Sequence, residues 1–132
     1  EKVKKLFLVN AVAPLQIMKY GKSLLKDNAI VLNVSSDEAS IGEPPRDGDY
    51  GYSMSKVALN MASMKFESET RDKNISVYCY HPGWMRTQMG GEAAKKSPDS
   101  ISPEEAAKIL YTHLYVNKDE IAGMYFDYTN RA

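Results

Sequence analysis

The spacing of apolar residues divides the first part of the chain into a helix, a strand and a loop. Over residues 1–26 apolar side chains recur at helical spacing, although Pro14 interrupts the pattern. The apolar run 29–34 is bounded by polar residues and predicts a strand buried on both faces. Residues 37–50 have the composition of a loop.

The same alternation continues through the rest of the chain. Residues 51–72 predict a long helix, and the run 74–81 predicts a strand that ends at a Pro-Gly turn. Residues 84–101 predict irregular or only partly helical structure. A third helix at 102–116 and a third strand at 121–128 complete the series.

Helices and strands that alternate in this way form right-handed crossover units, so the pattern predicts an α/β fold with a parallel sheet. The third helix has a well-marked start, because Ser102 suits the N-cap, Pro103 the first helical position and Glu105 the capping box. At 132 residues the chain fits one domain, so we expect residues 1–132 to form a single unit. Three strands are fewer than the five or six that are usual in such a sheet.

Composition narrows the classes of function. Basic and acidic residues number 17 each and no basic segment is present, which argues against nucleic acid or an anionic membrane as the main partner. The sequence contains no run of about 18 apolar residues, the length that a membrane-spanning helix needs. The single cysteine, Cys79, suits a buried strand position and a reducing, cytoplasmic setting. His81 and His113 have no clustered ligand partners, so we predict no metal site and interpret both as structural.

The first candidate for chemistry is the segment YGYSMSK, residues 50–56. On a helix Tyr52 and Lys56 lie one turn apart on the same face, whereas Tyr50 has Met54 at the corresponding position. An ammonium close to a phenol favours the phenolate, so such a tyrosine can exchange a proton with an alcohol or ketone. About one such spacing is expected by chance in this composition, so the pair taken alone is better interpreted as a solvated helix face.

Polar residues also follow two predicted strands at their carboxyl ends, the edge at which open α/β sheets bind ligands. Ser35 and Ser36 follow the first strand, where a hydroxyl could hold a substrate oxygen, although serines are ordinary turn residues as well. The second strand ends in HPGWMRT, where Pro82 and Gly83 form a stiff turn and Thr87 can hydrogen-bond a ligand. A purely structural turn explains that segment equally well when it is taken alone.

Asn10 lies in the first predicted helix, four residues before Pro14. Because proline has no N–H, the Asn10 carbonyl loses its usual helical partner and the helix should bend there. A carbonyl released in this way near the sheet edge could hold a water molecule. Surface exposure is the ordinary alternative for an asparagine in a helix.

Together, Asn10, NVSS, YSMSK and HPGWMRT resemble the motifs of the short-chain dehydrogenase/reductase family in their order and approximate separations. The interval from Ser36 to Tyr52 is somewhat longer than the commonest family spacing. The segments SMSKVALNM and HPGWMRTQMGG are similar to the C-factor/sniffer-like subgroup. The resemblance covers almost the whole chain and implies the carboxyl-terminal half of a Rossmann-like, doubly wound parallel sheet. It also favours a catalytic role for the Tyr–Lys pair.

The resemblance implies hydride transfer between NAD(P)(H) and a carbonyl or alcohol substrate. Tyr52 would be the general acid/base, and Lys56 would stabilise its phenolate and bind the nicotinamide ribose. Ser36 would hydrogen-bond the substrate oxygen, and Asn10 would support a water linked to the lysine. The remaining residues that would contact the cofactor lie in the second turn: Pro82, Gly83, Trp84 and Thr87.

The Gly-rich turn that binds the pyrophosphate of a dinucleotide is missing from this sequence. None of the eight glycines forms G-x-x-x-G-x-G or G-x-G-x-x-G between a strand and a helix. The residue that would distinguish NAD from NADP is missing with it. The chain therefore resembles a fragment, which we expect to bind NAD or NADP weakly or not at all by itself and to be nearly inactive.

We expect a homo-oligomer through the helices 1–26 and 51–72, since the second has more than one apolar stripe; a broad intramolecular core is the alternative. The first strand should form an exposed sheet edge. A non-catalytic binding or signalling protein that keeps this fold is the main rival function. An epimerase-like relative is a third possibility, against which PGWMRT argues.

Overall fold

The computed structural model describes residues 1–42, 47–116 and 124–129 of the chain. Within them, strands and helices alternate in chain order as the sequence predicts. The helices are α1 (Lys2–Phe7), α2 (Ala13–Gly21), α3 (Tyr50–Ser68), α4 (Gly91–Lys96) and α5 (Pro103–Tyr111). The strands are β1 (Ile30–Val34), β2 (Ser76–His81) and β3 (Tyr125–Asp127). Short 3₁₀ turns occupy Lys22–Leu24, Asp37–Ala39 and Arg71–Lys73.

The strands form one parallel sheet in the order β1-β2-β3, which confirms the α/β class. The chain divides into two compact units, Glu1–Cys79 and Tyr80–Ala132, and the boundary falls inside β2. Within the predicted third strand, 121–128, the structure shows β3 at Tyr125–Asp127, and positions 121–123 lie outside the described residues. None of the helices in the described part of the chain combines the length and the hydropathy needed to cross a membrane.

The predicted helix over 1–26 is helical, but its middle is a π-helical turn at Leu8–Val12. The N–H of Ala13 donates to the carbonyl of Leu8, five residues earlier, instead of to the residue four earlier. Pro14 follows directly and offers no N–H to the Asn10 carbonyl, which disfavours the α register at this point. The interruption predicted at Pro14 is therefore present as a change of helical register.

The prediction that the first strand is buried on both faces is wrong. No residue of β1 is fully buried, and Val34 at its end is 53% exposed. The reason is the strand order, since β1 lies at an edge of the described sheet with β2 on one side only. An apolar run gives the same pattern at an edge as in the centre of a sheet, so the run alone could not separate the two cases, whereas the exposed edge expected from the missing half of the fold is confirmed.

The core of the first unit lies between the helices and the sheet. Met18 of α2, Phe66 of α3, and Ile75 and Val77 around β2 form one buried cluster. Each such side chain contributes about 1.5–3 kcal/mol when it leaves water. Packing of α2 and α3 against the strands thereby fixes the position of α3, the helix that carries the Tyr–Lys pair.

The second unit begins with Tyr80 and is organised around aromatic residues. The rings of Tyr80 and Phe126 are 5.0 Å apart and both residues are buried. The start of α5 is as predicted, because the Ser102 hydroxyl accepts the N–H of Glu105 at 3.0 Å. A π-helical turn over Thr112–Val116 follows α5.

Candidate active site

Tyr52 and Lys56 lie one turn apart near the start of α3, as the spacing predicts. The Lys56 Nζ atom is 5.7 Å from the centroid of the Tyr52 ring, and both side chains are half-buried. Tyr50, by contrast, is 79% exposed. The structure therefore distinguishes the two neighbouring tyrosines, since among the described residues an ammonium lies beside the ring of Tyr52 and not beside that of Tyr50.

The Lys56 side chain is anchored on the sheet. Its Nζ atom donates a hydrogen bond of 2.8 Å to the main-chain carbonyl of Val34, the last residue of β1. Burial lowers the pKa of Lys56 below its usual value, and Cys79 partly offsets this effect. The ammonium is thus fixed between the tyrosine ring and the strand end that leads into Ser35 and Ser36.

The two serines after β1 are both buried but have different partners. Ser35 donates to the Asn60 side-chain oxygen in the middle of α3, at 2.7 Å. Ser36 is the N-cap of the 3₁₀ turn that follows: its oxygen accepts the N–H of Glu38, and its hydroxyl donates to the Asp37 carboxylate at 2.9 Å. Turn chemistry and a position at the strand end therefore coexist at Ser36.

A further bond ties the Ser36 turn to the helix of the tyrosine. Ser53 donates to the Glu38 carboxylate at 2.9 Å. Ser53 directly follows Tyr52, and Glu38 lies two residues after Ser36, so this bond joins the two segments at their candidate functional residues. Neither Ser53 nor Glu38 stood out in the sequence, because the bond depends on the path of the loop between them.

Asn10 lies in the π-helical turn, and its side chain contacts α3. The Asn10 Nδ2 group donates to the Ser55 hydroxyl at 3.0 Å, and that hydroxyl donates to the Tyr52 carbonyl at 2.7 Å. The side chain is half-buried rather than exposed on the surface. The expected role of the Asn10 carbonyl in holding a water stays a prediction.

Gly51 is a second feature that the sequence reasoning missed. A Cβ atom at this position would lie 3.1 Å from side-chain atoms of both Leu6 and Val3, so the glycine lets α1 approach α3 closely. A signal was available, because a glycine inside a helix costs about 1 kcal/mol relative to alanine and such a residue often marks close packing.

The Pro82-Gly83 turn in the second unit requires its glycine. Gly83 has a φ of +84°, and a Cβ atom there would lie 3.0 Å from the Tyr128 ring. Trp84, which follows, is 44% exposed. Its carbonyl accepts the N–H of Ile101 at 3.0 Å, so the main chain after the turn is held by the segment that precedes α5.

Thr87 closes the same segment. Its hydroxyl oxygen accepts the N–H of Gly90 at 3.2 Å, and a Cβ atom at Gly90 would overlap the Met85 carbonyl oxygen. The Arg86 guanidinium donates to the carbonyl and the hydroxyl of Ser100. Residues 82–90 are thus a tightly folded segment whose glycines allow close main-chain approach.

Cys79 and the two histidines have the surroundings that structural residues usually have. Cys79 is fully buried, and burial raises the pKa of its thiol, which disfavours the reactive thiolate. The His81 ring packs edge-on against Tyr128, and the His113 ring packs edge-on against Phe126. Within the described residues, no three acidic, histidine or cysteine side chains lie together as a metal site would need.

Comparison with known proteins identifies the family to which the chain belongs. The family model described as "short chain dehydrogenase" matches residues 1–98, the range that contains all eight predicted catalytic and cofactor-binding residues. The protein named "C-signal" from Myxococcus xanthus is 36% identical over 98 residues, which are 72% of this chain and 59% of that protein.

Solved structures give the same result. The carbonyl reductase from Pseudomonas aeruginosa PAO1 in complex with NADP is 31% identical with a TM-score of 0.76, over 99% of this chain and 55% of that one. The carbonyl reductase Sniffer of D. melanogaster is 26% identical with a TM-score of 0.68, over 92% of this chain and 52% of that one. This chain spans about half the length of these proteins. The predicted resemblance to C-factor and sniffer-like proteins is confirmed, and the chain belongs to the short-chain dehydrogenase/reductase family.

Proposed function

We propose that the protein containing this chain interconverts a carbonyl and an alcohol with NAD(H) or NADP(H), using Tyr52 as the general acid/base. The observation that carries the proposal is the placement of the Lys56 ammonium, 5.7 Å from the Tyr52 ring and bonded to the carbonyl that ends β1. Membership of the family and similarity to an NADP-bound carbonyl reductase support it.

The residues present suit the nicotinamide end of such a cofactor. Lys56 offers an ammonium for ribose hydroxyls, and the Gly83 turn offers main chain without a side chain. Trp84 and Thr87 continue that segment, which begins at Pro82. The bound cofactor would supply or accept the hydride at the substrate carbon.

In the direction of reduction, the Tyr52 phenol would give its proton to the substrate oxygen. The resulting phenolate would be stabilised by the ammonium of Lys56, which the Val34 carbonyl holds in place. Ser36 would hydrogen-bond the same substrate oxygen. For this its O–H turns from the Asp37 carboxylate towards the substrate, a rotation about a single bond.

The 132-residue chain alone should bind NAD or NADP weakly or not at all and turn over slowly. This part of the proposal is supported by the sequence, whose eight glycines include no Gly-rich dinucleotide turn. Titration with NADH or NADPH, followed by cofactor fluorescence, tests it directly. Tight binding by the isolated chain would overturn it.

We also propose a cytoplasmic location for the protein, which is supported by its single cysteine.

The decisive experiment compares two tyrosines in one segment. In the protein that contains this chain, Tyr52→Phe should reduce turnover of a panel of ketones and aldehydes by about a hundredfold or more. Tyr50→Phe is the matched control, because Tyr50 is exposed, two residues away and has no lysine one turn later. Equal activity of the two variants would contradict the proposal.

A second candidate function is a binding or signalling role without turnover. It is favoured by the match to the protein named "C-signal". The same experiment separates the two functions, since a purely binding protein would show no ketone-dependent oxidation of NADH or NADPH in the wild type.

We also propose that the protein is a homo-oligomer through residues 1–26 and 51–72. Met61 and Met64 of α3 are each more than half exposed, although Phe66 on the same helix is buried in the core. A groove of about 480 Å³ runs between α2 and α3. Large apolar side chains of the first helical segment are also exposed: Val3, Leu8, Val9, Val12, Leu15, Ile17, Tyr20 and Leu24. Such a surface is typical of a protein interface.

A further inference from the structure

A buried hydroxyl connects two of the proposed catalytic residues. Ser55 is fully buried on α3, three residues after Tyr52 and directly before Lys56. Its oxygen accepts a hydrogen bond from the Asn10 side chain at 3.0 Å, and its proton is donated to the Tyr52 carbonyl at 2.7 Å. Ser55 is therefore the only residue in the described part of the chain bonded through its side chain to both Asn10 and Tyr52.

The single proton of this hydroxyl fixes the orientation of the asparagine. Because Ser55 gives its proton to the Tyr52 carbonyl, it can only accept from Asn10. Asn10 must then present its Nδ2 group to Ser55, and its Oδ1 atom points elsewhere as an acceptor. Without the serine hydroxyl, either orientation of the carboxamide would be open.

The bond also joins two backbone segments that have different helical registers. Asn10 lies inside the π-helical turn Leu8–Val12, whereas Tyr52 lies in the regular first turn of α3. Gly51, one turn before Ser55, allows the close approach of α1 to the same face of α3. Close packing and the Ser55 bonds therefore act at neighbouring points along this helix contact.

We propose that Ser55 is a positioning residue for the reaction, which holds the Asn10 side chain and the Tyr52 main chain in one fixed arrangement. The proposal rests on the proposed function, because it assigns Ser55 to the same site. The two hydrogen bonds themselves are independent of that function. Ser55 does not contact the reacting groups and acts through Asn10 and Tyr52.

The chain contains a closely matched control in Ser63. This residue is also fully buried on α3, accepts from the Asn33 side chain at 2.8 Å and donates to the Leu59 carbonyl at 2.8 Å. Neither Asn33 nor Leu59 belongs to the proposed catalytic set. Ser55→Ala and Ser63→Ala thus each remove an Asn-to-Ser bond and a Ser-to-carbonyl bond from the same helix, and Ser63→Ala also removes a contact with the Cys79 thiol, so a general loss of packing should affect both.

The first arm of the test uses NMR of the protein that contains this chain, without cofactor. In Ser55→Ala the side-chain amide protons of Asn10 should shift and exchange with water up to about tenfold faster, because one hydrogen bond is lost. In Ser63→Ala the Asn10 signals should stay in place while those of Asn33 move. Unchanged Asn10 signals in Ser55→Ala would overturn the proposal.

The second arm measures kinetics with a ketone that the wild type reduces. Ser55→Ala should lower kcat about tenfold with little change in KM, and should displace the pH profile of kcat relative to wild type and Ser63→Ala. The double variant Asn10→Ala/Ser55→Ala should be no slower than the slower single variant, because the two residues act as one unit.

The outcomes separate the two proposals. If the wild type is active and Ser55→Ala behaves like Ser63→Ala in kcat and pH profile, the role of Ser55 is refuted and the proposed function stands. If the wild type reduces nothing, the proposed function and the catalytic part of this inference fail together. Faster exchange of the Asn10 amide in Ser55→Ala would then still support the positioning of Asn10.

Discussion

The Lys56 ammonium donates a 2.8 Å hydrogen bond to the main-chain carbonyl of Val34. This bond joins the helix of the proposed acid/base to the end of the strand that leads to Ser36, so the position of the charge does not depend on side-chain contacts alone. A carbonyl partner also lets a half-buried lysine keep its proton without a neighbouring carboxylate, which would compete with a phenolate for the ammonium.

Substitution of Lys56 should separate stability from activity. Burial lowers the pKa of Lys56, so the unfolded chain binds this proton more tightly than the folded one. The stability from this group is complete above the unfolded pKa of 10.5 and is lost as the pH falls through the folded value. The free energy of unfolding of Lys56→Met, relative to wild type, should therefore be more favourable at pH 7 than at pH 10.5, while turnover falls at least about tenfold.

Urea unfolding at both pH values and steady-state kinetics measure these effects. Lys65→Met is the control, because Lys65 is exposed on the same helix and reports the removal of an ordinary surface charge. A stability difference that is the same at both pH values would contradict the burial explanation.

Substitution of Ser53 should loosen the turn that carries Ser36. Ser53→Ala removes the bond to the Glu38 carboxylate, and we expect the KM for a ketone substrate to rise several-fold. Because a single hydrogen bond is lost, the free energy of unfolding should fall by about 1 kcal/mol or less. Ser68→Ala, at the exposed end of α3, is the control in the same kinetic assay. An unchanged KM would show that the bond does not position Ser36.

Because the Tyr80 phenol is buried in the second unit, we predict that the free energy of unfolding falls at alkaline pH. Burial, with a smaller effect from the charge of Asp127, raises the pKa of Tyr80 to about 12, from an ordinary value of 10.0. A raised folded pKa means that the stability from this group is complete below pH 10 and is lost as the pH rises towards 12. We expect Tyr80→Phe to remove this decline, which amounts to roughly 2 kcal/mol.

The same variant should be at least as stable as wild type at neutral pH. The Tyr80 hydroxyl is buried and makes no hydrogen bond with any residue that the structure describes, so its removal relieves a desolvation cost of about 1 kcal/mol. Urea unfolding between pH 7 and 12 measures both effects, with Tyr115→Phe as an exposed control. An identical alkaline decline in Tyr80→Phe and wild type would exclude Tyr80 as its cause.

The proposed oligomer predicts that a charge on α3 separates the subunits. Met61→Lys combined with Met64→Lys should lower the mass measured by light scattering, because two ammonium groups would be buried at the interface without partners. Met89→Lys is the control, since Met89 is also exposed but lies in the second unit. A wild type that is already monomeric would refute the oligomer.

Local sequence signals were sufficient for the order of elements and for the pairing of Tyr52 with Lys56. Each element, the Tyr52–Lys56 pairing and the Ser102 cap depend on residues that lie close together in the sequence. The burial of β1 could not be predicted in this way, because it depends on the neighbouring strands; its exposed edge was predicted only from the resemblance to half of a larger sheet. The roles of the eight candidate site residues remain predictions.

The contacts around Asn10 show a second limit. Pro14 indicated that the helix is interrupted, but not that a π-helical turn results, since a bend would also relieve the missing N–H. The bonds of Ser55 and Ser53 join segments far apart in the sequence, so they follow from the packing of helices and loops that periodicity alone does not specify.

The π-helical turn lets the first segment carry one additional residue without turning a different face to α3. A π turn holds one more residue than an α turn, so deleting one residue within Leu8–Val12 should restore regular winding. Val3 and Leu6, upstream of the turn, should then still face Gly51. The same deletion inside α2 has no such slack and should rotate the upstream residues by about 100° around the helix axis.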